Sequence, residues 1–233
     1  MSAFDGWDLS PAVREYLAFH SARYEALLDT VRALPAPRSV LDAGTFLQTE
    51  LFRLEWPDAL VHTLGEPWTT SGWGSVREGE RHWAFDLNDL QFSERRPPDI
   101  GPVDLVVLAE VIEHLYTAPA VVLGAVREWL APGGYVVVQT PNAARLEARL
   151  RLLRGRHPYE MIRPVRENPG HFRELTVAEL RAVAAEAGFT VESLTVSNYF
   201  GLSSPRRRAV KRATGLAPAT LRDGITAVLS ARP

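Results

Sequence analysis

Four acids stand just beyond apolar runs in this sequence: Asp42, Glu66, Asp86 and Glu110, with Glu113 close behind the last. Gly44 follows the first of them, and the polar stretch Gln139 to Asn142 follows a fifth apolar run. Acids collected on one rim suit a ligand with hydroxyls and a cationic centre better than a bare phosphate. Three histidines stand nearby in the chain: His114, His157 and His171. A histidine with an unperturbed pKa near neutrality is the natural general base for a hydroxyl. His171 is the first choice, His114 the second and His157 the third. Each residue also has a plain structural alternative: a strand-end turn for the acids, a helix-start hydrogen bond for His114 and loop packing for His171.

The elements that must position these groups can be read from patterning. Ser10-Pro11 reads as a helix cap and first position, and Val13, Leu17, Tyr24, Leu27, Leu28 and Val31 recur at helical spacing before Pro35. Strands are expected over 39–42, 59–64, 82–86, 103–108 and 134–140. The last two are unbroken Val/Leu runs, as in strands buried on both faces. Helices are expected from Thr117-Ala118-Pro119 to Pro132, and from the capping box Thr176 to Glu179 up to Gly188. Two late strands, 191–196 and 225–229, lack a full crossover between them. The alternation implies an α/β fold with a mostly parallel sheet and helices on both faces. In such sheets ligands bind beyond the carboxyl ends of the strands, where these acids lie. Adenosine carrying a sulfonium and an α-amino group would fit the rim, and so would NAD, whose ribose also seeks an acid.

Bulk properties narrow the classes. The chain has 233 residues, 46% hydrophobic and 23% charged, with net charge −2. Having no cysteine, it has no disulfide, thiolate zinc site or cysteine nucleophile. No apolar stretch is long enough for a transmembrane segment, the N-terminus lacks the apolar region of a signal peptide, and a cytoplasmic location is expected. Between Arg145 and Arg173 there are eight arginines against three glutamates, and Arg206, Arg207, Arg208, Lys211 and Arg212 form a second basic run. Such runs favour a phosphorylated or anionic group, or are simply solvated faces. Within the first run Leu146, Leu150 and Leu153 form an apolar stripe.

Three segments then resemble one family. VDLVVLAEVIEHL (Val103 to Leu115) resembles the fourth-strand motif of class I S-adenosylmethionine-dependent methyltransferases, closest to the branch containing the ubiquinone-biosynthesis O-methyltransferases. VREWLAPGGYVVVQTPN (Val126 to Asn142) resembles that branch's fifth-strand region, and GHFRELTVAEL (Gly170 to Leu180), leading to EAGF (Glu186 to Phe189), its next helix. The resemblance implies a Rossmann-like seven-stranded domain over 38–233, an N-terminal helical segment over 1–37 and a basic insertion at about 143–170. It implies S-adenosylmethionine as cofactor, with Asp42 and Gly44 at its methionine end, Glu66 on the ribose, Asp86 and the Leu87 backbone on the adenine and Glu110 beside the sulfonium. It further implies that His114 opens a helix under the cofactor, whereas His171 comes from a mobile segment closing over the acceptor.

The chain departs from the family in its first loop, where an acid is followed by three glycines at alternate positions. Asp42 and Gly44 remain; Phe46 and Gln48 replace the other two. O-methylation of a small-molecule or glycosyl acceptor of the glycan or natural-product kind is the expected activity, with a non-catalytic domain binding a partner through its basic face as the alternative. A nicotinamide oxidoreductase needs a G-x-G-x-x-G loop that is missing. A nucleic-acid methyltransferase needs an Asn/Asp-Pro-Pro-aromatic motif where Ala109-Glu110-Val111 stands. Glu110, Glu113 and His114 could ligate a metal, but their spacing matches no recognised site and none is expected.

Overall fold

A computed structural model describes residues 3–65, 76–165, 169–200 and 218–231. The chain opens with helix α1 (Pro11–Arg32), whose Ser10 side chain accepts a hydrogen bond from Val13 N at 3.4 Å. There follow β1 (Ser39–Ala43), α2 (Leu47–Glu55), β2 (Leu60–Gly65), β3 (His82–Ala84), β4 (Val103–Ala109), α3 (Pro119–Glu128), β5 (Leu130–Pro141), α4 (Leu146–Leu153), α5 (Val177–Glu186), β6 (Phe189–Ser197) and β7 (Gly224–Ala231). The seven strands form one sheet in the order β3-β2-β1-β4-β5-β7-β6. It is parallel from β3 to β5, while β7 runs antiparallel to both β5 and β6.

Alternation along the strands feeds two cores. Val40, Val61, Leu105, Val107 and Val137 pack with Tyr24, Leu27 and Val31 of α1 and Phe52 of α2. Leu41, Leu64, Val106, Leu108, Val136 and Val138 pack with Val122 and Val126 of α3 and Leu180 and Ala184 of α5. Burial on both faces explains why β4 and β5 read as continuous apolar runs. Strand order reverses between β1 and β4, so the crevice beyond their carboxyl ends is the ligand position of this architecture.

Two features differ from the sequence reading. Helix α2 occupies a stretch for which only the altered glycine loop was foreseen; Gln48 and Thr49 lie in its first turn, buried. In α4 the buried residue is Ala148, whereas Leu153 of the apolar stripe is 82% exposed. The capping box at Thr176 and Glu179 forms as read, and Gly188 follows α5 with φ +80°.

Candidate active site

The first loop shows why one glycine suffices. Gly44 has φ +97°, and a Cβ there would lie 2.7 Å from Val111 Cγ2, so only glycine fits. By position 48 the backbone is already helical and needs no glycine. Asp42, wholly buried at the end of β1, accepts from Thr49 Oγ1 at 2.5 Å and from Gln48 Nε2 at 3.3 Å. Burial outweighs these donors and raises its pKa to about 6. Phe46, in place of the second glycine, lies edge-on to Tyr16 of α1, ring centroids 5.2 Å apart.

Beyond β4, Glu110 adopts φ +56°, a conformation uncommon outside glycine, and its N–H donates to Gln139 O on β5 at 2.8 Å. Its carboxyl is buried and Oε1 has no partner. Burial, then the neighbouring Glu113, pushes its pKa well up. Arg23, which the sequence reading passed over, works against this rise by favouring the ionised carboxylate. It is 2% exposed and reaches Gln139 Oε1 at 3.5 Å and Tyr16 OH at 3.0 Å. The signal was available, for Arg23 sits four residues before Leu27 on the core stripe of α1.

The two histidines come together, though 57 residues apart in sequence. Phe172 N donates to Glu113 O at 2.8 Å and His114 Nδ1 donates to Gly170 O at 3.0 Å, stitching the two segments side by side. The rings are 4.7 Å apart at 84°. His171 therefore stands beside His114 rather than across the site on a closing lid, which corrects the expected arrangement. His171 Nδ1 pairs with Glu174 Oε1 at 3.0 Å, and Glu174 is also ion-paired with Arg145. Burial raises the Glu174 pKa, but His171 and Arg145 together hold it below the usual value. His114 is pushed down to about 4 by burial and then by His171. His157 is exposed and bonds within its own turn to Tyr159. Glu174 was also missed, although its spacing three residues after His171 was in view.

Glu113, His114 and His171 each place one potential ligand atom within 4.8 Å of the others. Glu113 is fully buried; Oε2 accepts from Thr140 Oγ1 at 2.9 Å, and Oε1 lies 4.0 Å from His114 Nε2 without a hydrogen bond. Both histidines commit Nδ1–H to an oxygen, leaving their Nε2 lone pairs available, the pattern of histidines that bind metals. These residues fit a divalent cation, a grouping that sequence spacing did not reveal because His171 is remote in the chain.

Beyond β3, Asp86 Oδ1 accepts from Asn88 N at 2.8 Å, capping the 3-10 turn Leu87–Gln91, and Leu87 is buried. Asp86 thus has a structural duty, while its other oxygen makes no hydrogen bond among the described residues. Glu66 and the basic run from Arg206 to Arg212 lie outside the described residues.

A family model described as a methyltransferase domain matches residues 16–194. A probable S-adenosylmethionine-dependent methyltransferase of Mycolicibacterium smegmatis is 38% identical over 112 residues, 48% of this chain and 38% of that protein. The chain therefore spans well under two thirds of that relative. Among solved structures, an S-adenosylmethionine-dependent methyltransferase from Mesorhizobium loti superposes with a TM-score of 0.59 at 14% identity, covering 89% of this chain and 97% of that one. Human N-acetylserotonin methyltransferase, solved with S-adenosylmethionine, gives 0.58 at 14% identity over 95% of this chain and 54% of its own. The N-methyltransferase NodS of Bradyrhizobium japonicum, solved with S-adenosylhomocysteine, gives 0.52 at 19% identity over 95% and 88%. At these identities the structures share the fold alone. Because the family model extends over more than half its length, the chain belongs to the methyltransferase domain family, whose cofactor is S-adenosylmethionine.

Proposed function

We propose that this chain transfers a methyl group from S-adenosylmethionine to a hydroxyl of a small-molecule or glycosyl acceptor, with His171 as the base. The observation that carries the reading is the His171–Glu174 pair. Glu174, anchored by Arg145, accepts the Nδ1 proton and leaves Nε2 as the basic nitrogen. When bound, the cofactor supplies a methyl carbon activated by positive sulfur. His171 Nε2 would take the proton of the acceptor hydroxyl as its oxygen is methylated. His114, neutral because burial holds its pKa near 4, stands beside the base without adding charge. Asp42, Gly44, Asp86, Leu87 and Glu110 would line the cofactor crevice.

A second reading of the same atoms is favoured by Glu113 Oε1, which is buried, makes no hydrogen bond and faces His114 Nε2 at 4.0 Å. Glu113, His114 and His171 would hold a divalent cation, which would polarise the acceptor oxygen in place of direct proton abstraction. Arg149, Arg154 and Arg156, in and just after α4, are exposed and none is paired with a carboxylate among the described residues, which supports an anionic portion on the acceptor. No helix among the described residues is long and apolar enough to cross a membrane.

Calorimetric titration with S-adenosylhomocysteine, followed by methyl transfer to phenolic and sugar hydroxyls with and without chelator, tests the reading. Binding with hydroxyl methylation supports it. No binding at millimolar ligand would leave a non-catalytic partner-binding domain as the better account.

A further inference from the structure

The stretch from α4 to residue 165 is held by polar contacts and leaves its apolar side chains outside. Arg151 Nη1 donates to Pro158 O at 3.3 Å, which folds the chain back along α4, and Arg145 stands 6.0 Å over the Tyr159 ring. Within α4, Ala148 alone is buried. Leu153 is 82% and Met161 88% exposed, and Leu152, Ile162 and Val165 are exposed with them. Elsewhere among the described residues, no stretch of the same fourteen-residue length exposes more than two large apolar side chains. A single exposed leucine is ordinary on a protein surface, whereas five gathered in one excursion mark an interaction site.

Charge selects the partner. From Arg149 to Val165 five arginines stand against one acid, Glu160, a local charge of +4 in a chain whose net charge is −2. Glu160 is taken up by Arg163 at 3.2 Å, while Arg149, Arg154 and Arg156 are exposed without a carboxylate among the described residues. We infer that this excursion docks the protein on an anionic lipid bilayer. Leu153 and Met161 enter the boundary between headgroups and acyl chains, and the three arginines lie among the lipid phosphates. Apolar burial and attraction to anionic headgroups add at such a surface, so aliphatic and cationic side chains are used together. A free phosphate would engage the arginines and leave the leucines in water. A second copy of the chain would set arginines against arginines. Arg145, at the start of α4, is ion-paired with Glu174, the partner of His171, so the docking face and the base belong to one connected stretch.

Flotation of the full chain with phosphatidylcholine vesicles, with and without phosphatidylglycerol, is the test. Wild type is expected to float with the mixed vesicles, to float little with phosphatidylcholine alone, and to be released as salt rises. Leu153→Ser combined with Met161→Ser should weaken binding by about tenfold or more. Replacing Arg149, Arg154 and Arg156 by Gln should weaken it by about fivefold for each arginine. These side chains lie in water in the free protein, so neither variant should lower the unfolding temperature, and either alone decides if the other fails to fold. Vesicle binding that survives either variant undiminished overturns the inference, as does equal binding to neutral and anionic vesicles or no binding at all. A wild-type dimer in light scattering that the Leu153 and Met161 changes convert to monomer, with no vesicle binding, would make the face a contact between copies instead. Flotation is read without methyl transfer, so its failure leaves the methyl-transfer reading untouched.

Discussion

His171 and Glu174 are joined at 3.0 Å through Nδ1 and Oε1, three residues apart and just ahead of α5. Glu174 is 5% exposed and shares its carboxylate with Arg145 from the start of α4. The pair fixes which imidazole nitrogen carries the proton, and the His171 ring lies edge to face with that of His114. A surface histidine would gain little from a buried, doubly held carboxylate.

It follows that His171→Ala and Glu174→Ala should both lower turnover while leaving S-adenosylhomocysteine affinity nearly intact. Loss of a general base costs about 10²–10⁴ in rate, and loss of its orienting acid should approach the lower figure. The double variant should be little worse than His171→Ala, because residues acting as a unit are not additive. Steady-state kinetics on the three variants checks this. Independent, multiplying effects would show that Glu174 serves only to anchor Arg145.

The divalent-cation reading has its own consequence. A cation that binds only the folded protein raises its stability, by about 2.7 kcal/mol at a hundredfold excess over Kd. Magnesium, manganese or zinc is therefore expected to raise the unfolding temperature of wild type but not of Glu113→Gln, which removes the carboxylate facing His114. Equal response of the two proteins would return His171 to the role of unassisted base.

Much of this was legible in the residues. The strands of the sheet announced themselves because β4 and β5 are buried on both faces and must be apolar throughout. The Ser10 cap and the Thr176–Glu179 box marked helix starts by chemistry that is local to a few residues. What escaped was non-local or masked by expectation. The His114–His171 contact is made by backbone hydrogen bonds between segments far apart in sequence. Helix α2 was hidden by a motif that led the eye to seek glycines, and Arg23 by the habit of assigning arginine to the surface. Asp42, Asp86 and Glu110 could be singled out because an acid at or just past a strand end is itself a sequence feature.

At Gly44 the geometry is demanding. Gly44→Ala should destabilise the protein by about 1–3 kcal/mol from the positive φ alone, with the 2.7 Å approach to Val111 adding to it. Val111→Ala in the same chain should relieve the contact and restore only part of the loss. Urea unfolding of the single and double variants separates the two contributions. Full rescue by Val111→Ala would show that the backbone tolerates alanine and that contact alone requires glycine.

Asp42 ties stability and binding to pH in opposite directions. Its folded pKa of about 6 lies above the ordinary 3.8, so the native state binds this proton more tightly than the unfolded chain does. Its contribution is full below about pH 4 and is lost as pH rises through 6. At one pKa unit per 1.36 kcal/mol, the loss is on the order of 3 kcal/mol. Asp42→Asn should flatten this part of the profile, seen as a smaller difference in urea unfolding free energy between pH 4 and pH 7. The ligand works the other way. A ligand ammonium near Asp42 would favour its ionised form, so S-adenosylhomocysteine affinity should strengthen as pH rises through about 6, and in Asp42→Asn that dependence should shrink. Affinity independent of pH in the wild type would mean that the ligand's charge lies away from Asp42, and that its carboxylate serves the loop through Gln48 and Thr49 alone.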